Sequence, residues 1–205
     1  TGMSKIIRVF PRKTNATPDD KLAVVGRAPT LWDEADQIHV SVTFDWDREK
    51  AERLAESWSV VAPVSIGGPA MGTIPGDFNP GVYLKPGYTI TSRGCPWSCP
   101  SCLVPKREGA LRLLPIRDGW DVLDNNLLAC PDDHVKQVFA MLARQPQHPK
   151  FTGGLEAARI RPWHVEWFMK LKPETMWTAY DSADDWEPLL AAVRLLTEAG
   201  IVGPH

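Results

Sequence analysis

The sequence has no long apolar run and almost no net charge, and both absences exclude classes of protein. No stretch approaches the roughly 18 consecutive apolar residues that a transmembrane helix needs. Thr1–Lys5 lacks the apolar segment of a signal peptide, and Thr1 and Gly2 resemble a tag remnant before Met3. The 23 basic and 25 acidic residues give no overall positive charge, which leaves only a local basic patch for binding nucleic acid. Because 43% of the residues are hydrophobic and 23% charged, we expect a globular protein with a buried core. Since secretion has no support in the sequence, the expected localisation is the cytoplasm.

The N-terminal part of the chain predicts a small α/β domain over residues 3–70. Residues 5–10 and 39–44 have the apolar and alternating patterns of strands, and 60–66 have the pattern of a buried strand. Between Asp47 and Trp58, apolar residues recur at the spacing of one helix face. A strand, a helix and a strand in this order favour a crossover connection and a partly parallel sheet.

Residues 71–87 are rich in glycine and proline and are expected to form a linker. A regular pattern then resumes over residues 88–205. Four tandem β/α units resemble part of a β/α barrel, so the predicted fold class is α/β with a partial barrel after the small domain. Strands are predicted at 88–92, 120–124, 150–152 and 175–180, with helices beginning near Pro131, Pro162 and Asp184, the last capped by Glu187.

Three of the four cysteines, Cys95, Cys99 and Cys102, lie in one short loop with the spacing C-x3-C-x2-C. A dispersed disulfide framework would not group them in this way. Thiolates favour zinc or iron–sulfur centres. Structural zinc normally takes four protein ligands, whereas three cysteines on a [4Fe–4S] cluster leave one iron open. Cys130 or His134 could complete a zinc knuckle, so both kinds of centre stay open at this point.

The cysteine loop, with Thr91–Gly94 before it and Leu103–Pro105 after it, resembles that of the radical S-adenosylmethionine (SAM) superfamily. The resemblance extends over residues 88–201. It implies that the three cysteines hold three irons of a [4Fe–4S] cluster and that SAM chelates the fourth. Reductive cleavage of SAM would then give methionine and a 5′-deoxyadenosyl radical that abstracts hydrogen from a substrate. An electron donor such as flavodoxin or ferredoxin is implied as a partner.

The resemblance also implies that residues at the ends of the later strands bind SAM. Asn125 and Asn126 stand where the family has a Gly-Gly-Glu-like element, and Ser101 stands where it often has an aromatic residue near the adenine. The further candidate SAM contacts, after the third and fourth strands, are Gly153, Gly154, Glu156, Tyr180, Asp181 and Ser182.

The sequence departs from the family in two respects: the signatures of its N-terminal domain and the number of its β/α units. The N-terminal domain faintly resembles that of cobalamin-dependent and methylthiolating relatives, but it has no Asp-x-His-x-x-Gly signature and no cysteine. Neither cobalamin nor a second cluster is therefore expected, and a positioning or substrate-binding role is left. Family cores commonly have six β/α units, and four here would leave an open barrel that suits a peptide or nucleic-acid substrate or a partner chain. The alternative without catalysis is a cysteine-ligated zinc module used for interaction.

Overall fold

The computed structural model describes residues 4–72, 76–100 and 102–201, and the chain divides into two compact units, 1–86 and 87–205. Each unit combines helices with a parallel sheet of four strands, which confirms the predicted α/β class. Within the described ranges, no helix has both the length and the apolar character that crossing a bilayer requires.

The first unit packs helix α1 against a parallel sheet in the order β2-β1-β3-β4. The buried face of α1 consists of Ala51, Leu54, Ala55 and Trp58, as the helical spacing predicts. The predicted strand at 60–66 begins late because Val61 still donates its backbone N–H to Trp58 in a turn after the helix. The elements are β1 Ile6–Phe10, β2 Ala23–Val25, β3 Gln37–Ser41, α1 Arg48–Trp58 and β4 Val64–Gly67.

The described end of the glycine- and proline-rich segment, residues 76–86, is held to the first unit by hydrogen bonds. The guanidinium of Arg8, a buried side chain on β1, donates to the carbonyl oxygen of Val82. The backbone N–H of Lys85 lies 2.9 Å from the carbonyl oxygen of Ala16. These bonds fix the path of the chain before the second unit begins.

The second unit contains a parallel sheet in which the spatial order of the strands follows their chain order. Its order is β5-β8-β9-β10, and the helices between the later strands share one core with them. A separate antiparallel pair, β6 with β7, flanks the cysteine loop. The elements are β5 Tyr88–Thr89, β6 Ser92–Arg93, α2 Val104–Arg107, β7 Arg112–Leu113, β8 Asp121–Val122, α3 Asp132–Leu142, β9 Lys150–Leu155, α4 Pro162–Leu171, β10 Thr175–Thr178 and α5 Trp186–Glu198.

Two local predictions in the second unit are wrong. The strand expected at 88–92 is two short strands with different partners, since β5 pairs with β8 while β6 pairs with β7. The capping partner at the start of the last helical segment is Asp185, which pairs with Ser182, rather than Glu187. The carboxylate of Asp185 accepts from the backbone N–H and the hydroxyl of Ser182, at 2.8 and 3.0 Å, in a single helical turn before α5.

Candidate functional site

The cysteine loop is closed at its base by the β6–β7 pair and by contacts just beyond it. A half-buried Arg93 pairs with buried Glu108, with Nη1 and Oε1 3.3 Å apart. The backbone N–H of Cys95 lies 3.4 Å from the carbonyl oxygen of Gly109. Gly94 has φ +80°, and a Cβ on it would lie 2.6 Å from that same oxygen, so only glycine fits there. These contacts therefore hold the two ends of the cysteine loop, residues 93–95 and 108–109, next to each other.

The three cysteines of the loop are free thiols with different exposure. Cys95 and Cys102 are half-buried, and Cys99 is exposed. Ser101, the residue expected near the adenine, lies outside the described residues. Within the described part of the chain, the three sulfur atoms do not form a group within 4.8 Å of one another.

Asn125 and Asn126, both predicted to bind SAM, have different partners. The side-chain oxygen of Asn125 accepts the backbone N–H of Gly94 at 2.9 Å, so this residue holds the cysteine loop. Asn126 is buried, and its Nδ2 lies 2.7 Å from Glu156 Oε2 and 3.7 Å from Cys95 Sγ. Its Oδ1 is buried without a partner. An acceptor left unpaired beside a cysteine fits a ligand that supplies an N–H, such as the amino group of SAM.

Glu156, which follows β9, collects three donors on one carboxylate oxygen. Besides Asn126 Nδ2, Trp97 Nε1 lies 3.0 Å and Arg159 Nε 2.7 Å from Oε2. The Arg159 guanidinium also lies 5.7 Å from the centre of the Trp97 ring. Because Trp97 belongs to the cysteine loop, Glu156 links that loop to β9. The sequence predicts a role for Glu156 but gives no signal for its contacts with Trp97 and Arg159.

The two glycines of β9 have different surroundings, and a side chain at each position would meet different atoms. A Cβ on Gly153 would lie 2.6 Å from the carbonyl carbon of Leu123 and 2.8 Å from the nitrogen of Asp124. Gly153 is thus needed for close contact with the neighbouring chain. Gly154 has φ +103°, and a Cβ there would meet nothing within 4 Å. Of the two, Gly154 is the one with open space beside it.

Tyr180, Asp181 and Ser182 lie in the exposed segment between β10 and α5. The Tyr180 ring packs edge-on against Trp186, with centroids 6.1 Å apart. The backbone N–H groups of Asp181 and Ser182 both donate to Asp185. These contacts are local to the start of α5 and serve its cap.

A buried cluster brings together Asp124, Cys130 and His134; the sequence offers Cys130 and His134 as zinc ligands but does not predict their grouping with Asp124. Their ligand atoms lie within 4.8 Å of one another, the one such group in the described part of the chain. Burial raises the pKa of Asp124, raises that of Cys130 to about 11 and lowers that of His134. The carboxylate accepts from Thr91 and Ser92, and His134 Nε2 lies 3.2 Å from Thr91 Oγ1. A hydrogen-bond network thus already uses the atoms that a metal ion would need.

The first unit has a small crevice, partly open to solvent, with a cavity volume of about 30 Å³ at the carboxyl ends of β1 and β3. The chain runs from β1 outward to β2 and then back to β3, so the crevice lies where the strand order reverses. Ligands of open α/β sheets bind at such places. Arg12 and the buried Asp47 line it as an ion pair, with Nε 2.6 Å from Oδ2.

Comparison with known proteins gives no relative from which a function could be carried over. The chain matches no protein-family model, no curated protein and no solved structure. The functional argument therefore depends on this chain's own residues.

Proposed function

We propose that the protein is a radical SAM enzyme whose [4Fe–4S] cluster is held by Cys95, Cys99 and Cys102. The observation that carries the proposal is the contact between the cysteine loop and the ends of the next two parallel strands. Asn126 after β8 reaches both Cys95 and Glu156, the latter just after β9. The cysteine loop, an unpaired acceptor and a carboxylate therefore meet at the ends of two neighbouring strands.

The proposed architecture of the second unit is a partial β/α barrel. Its support is the sheet order β5-β8-β9-β10, in which each parallel strand lies beside the one before it. Right-handed crossovers that always advance in the same direction place their helices on one face of the sheet, as in a barrel. In this architecture the loops after the strands carry the site.

Each residue of the site has a proposed role. When bound, the reduced cluster and SAM together supply one-electron cleavage to methionine and a 5′-deoxyadenosyl radical that takes hydrogen from the substrate. Asn126 Oδ1 accepts an N–H of the SAM amino group, while Glu156 holds the Asn126 amide in orientation. Open space at Gly154 admits the ligand beside β9. Tyr180, Asp181 and Ser182 are proposed to contact the ribose.

The substrate and partners follow from the openness of the proposed barrel. A peptide or nucleic acid suits such a site. The proposed reaction also needs an electron donor such as flavodoxin or ferredoxin, and the proposed location is the cytoplasm. The small crevice of the first unit supports a substrate-binding or positioning role for that unit through its place, where the strand order reverses, and through its hydroxyl groups and the Arg12–Asp47 pair.

The test is anaerobic reconstitution with iron and sulfide, followed by reduction with dithionite in the presence of SAM. The wild type should bind about four irons and release 5′-deoxyadenosine. Cys99→Ala should release none, and Cys130→Ala, the matched control, should behave like the wild type. A wild-type protein that assembles no cluster would overturn the proposal.

The second candidate function is a zinc-binding interaction module. The cluster of Asp124, Cys130 and His134 favours it, since these three residues offer a zinc-type donor set in one buried place, where the ion would displace the hydrogen bonds of Thr91 and Ser92 to Asp124. A colourless protein with one zinc ion per chain, lost in Cys130→Ala, would establish this candidate.

A further inference from the structure

Hydrogen bonds join the segment before the first cysteine to the two residues Asp124 and Asn125, which follow β8. Asp124 accepts hydrogen bonds from the backbone N–H of Thr91, the hydroxyl of Thr91 and the hydroxyl of Ser92, each at 2.6 Å. Asn125 then accepts the backbone N–H of Gly94. Three positions before Cys95 are therefore fixed by two consecutive residues.

Of the two residues that hold this segment, Asp124 contributes more than Asn125 because it is more deeply buried. Thr91 and Ser92 are fully buried, and Asp124 is 1% exposed. The hydroxyl and N–H donors of Thr91 and Ser92 are its closest partners, and the nearby charges of His134 and Arg93 also interact with its carboxylate. Without that carboxylate, the N–H of Thr91 would be buried with no acceptor, which strongly favours another path for the chain. Asn125 is only half-buried, and its one bond is more easily replaced by water.

We propose that Asp124 is the positioning residue of the cysteine loop: its carboxylate fixes residues 91–92 and thereby sets the place of Cys95. The positioning is independent of any cofactor. Its consequence, that Asp124 governs how firmly a cluster is held and at what potential, rests on the proposed radical SAM function. Asp124 contacts neither cluster nor SAM in this assignment, since its three bonds all face the protein.

Amide hydrogen exchange on the metal-free protein tests the positioning directly. Asp124→Ala should speed exchange in the peptide covering 91–95 by at least about tenfold, because it removes a hydrogen bond to a charged acceptor. Asp121→Ala is the matched control. Asp121 is another buried aspartate, at the start of β8, and it is hydrogen-bonded to the hydroxyl of Thr152 on β9. The control variant Asp121→Ala should leave the amide exchange rate in residues 91–95 within about twofold of the wild-type rate.

A second variant keeps the test decisive if Asp124→Ala does not fold. Asp124→Asn has the same shape and retains one acceptor oxygen for three donors, so exchange in 91–95 should rise by at least about threefold. Unchanged exchange in the folded variants would overturn the inference, and so would an equal rise in Asp121→Ala.

Cluster spectroscopy separates this inference from the proposed function. After reconstitution, Asp124→Asn should lose iron at least about threefold faster than Asp121→Ala or show a shifted midpoint potential and electron paramagnetic resonance signal. Identical cluster properties in both variants would overturn the consequence for the cluster. If the wild type binds no cluster, the proposed function fails, and the exchange result alone decides whether Asp124 positions the loop.

Discussion

Asn126 donates its side-chain amide to Glu156 across the ends of two neighbouring strands, with Nδ2 2.7 Å from Oε2. Because a carboxylate can only accept, this bond fixes which way the amide of Asn126 faces. The oxygen is therefore the atom turned away from Glu156, and it is the atom without a partner.

Replacing Glu156 should loosen this arrangement. Glu156→Gln leaves Arg159 without its counter-charge and gives Asn126 a partner that can donate as well as accept. We expect SAM to bind the reconstituted enzyme about tenfold more weakly, as measured by calorimetry. Trp97→Phe removes one of the three donors to Glu156 and should have a smaller effect. Equal affinities in the wild type and Glu156→Gln would contradict the role given to Glu156.

The two glycines of β9 should respond differently to alanine. Gly153→Ala places a methyl group against the backbone of residues 123–124 and should destabilise the fold by about 3 kcal/mol. Gly154→Ala meets no atom and should cost only the strain of its positive φ, about 1–2 kcal/mol. Urea denaturation measures both. A larger loss in Gly154→Ala than in Gly153→Ala would show that the packing reason is wrong.

Cys130 should be the least reactive of the four thiols. Burial raises its pKa to about 11, and its side chain is almost fully enclosed, so the thiolate is scarce at pH 8. In metal-free folded protein, iodoacetamide should modify Cys99, which is exposed, at least about 100-fold faster. Peptide mass spectrometry gives the four rates, and unfolding in urea should remove the difference. Rapid modification of Cys130 in the folded state would contradict the buried network.

Stability should fall in mild acid because of His164. This side chain is fully buried, and burial, together with the nearby charge of Arg161, lowers its pKa from 6.5 to about 4. The unfolded chain therefore binds a proton that the folded chain does not, so the stabilisation is complete above pH 6.5 and is lost as the pH falls toward 4. Between pH 7 and pH 5 the loss should be about 2 kcal/mol from this residue.

The measurement is the free energy of unfolding at both pH values for the wild type, His164→Phe and a control, His148→Gln. His164→Phe should lose less stability on acidification than the wild type, while the control should lose the same amount. Burial also lowers the pKa values of His39 and His134, so some loss remains in every variant. An unchanged dependence in His164→Phe would show that this imidazole is not the source.

Periodicity predicted the elements with a strong pattern and missed those without one. Helix α1 lies where it is predicted because it has a regular apolar face, and strand β9 begins at Lys150 as predicted, although only Phe151 and Leu155 of its residues are buried. Strand β2 has only three residues, and strand β7 has two, so neither has enough residues for a pattern to show. Their positions are decided by pairing with distant segments, which a local reading of the sequence does not contain.

The sequence predicts those parts of the candidate site whose residue types and spacing indicate a specific chemistry. The cysteine loop and the polar ends of the strands are such cases. The sequence could not distinguish the roles of Asn125 and Asn126, because one turns toward Gly94 and the other toward Glu156 only in the folded chain. Asp124 was passed over for the same reason. Its importance comes from two hydroxyls and a backbone N–H more than 30 positions earlier.

The order of strands in the second unit also has a consequence for how the site forms in time. Cys95 and Asn126 are 31 positions apart, and Asn126 and Glu156 are 30 positions apart, so each contact closes a loop of moderate length. Each new strand can join the sheet beside the one made just before it, which favours stepwise growth in chain order. The cysteines emerge first and the carboxylate last. A nascent chain thus has its thiols some sixty residues before the contact of Asn126 with Glu156 can form beside them, and those thiols are open to other chemistry until β9 has joined the sheet.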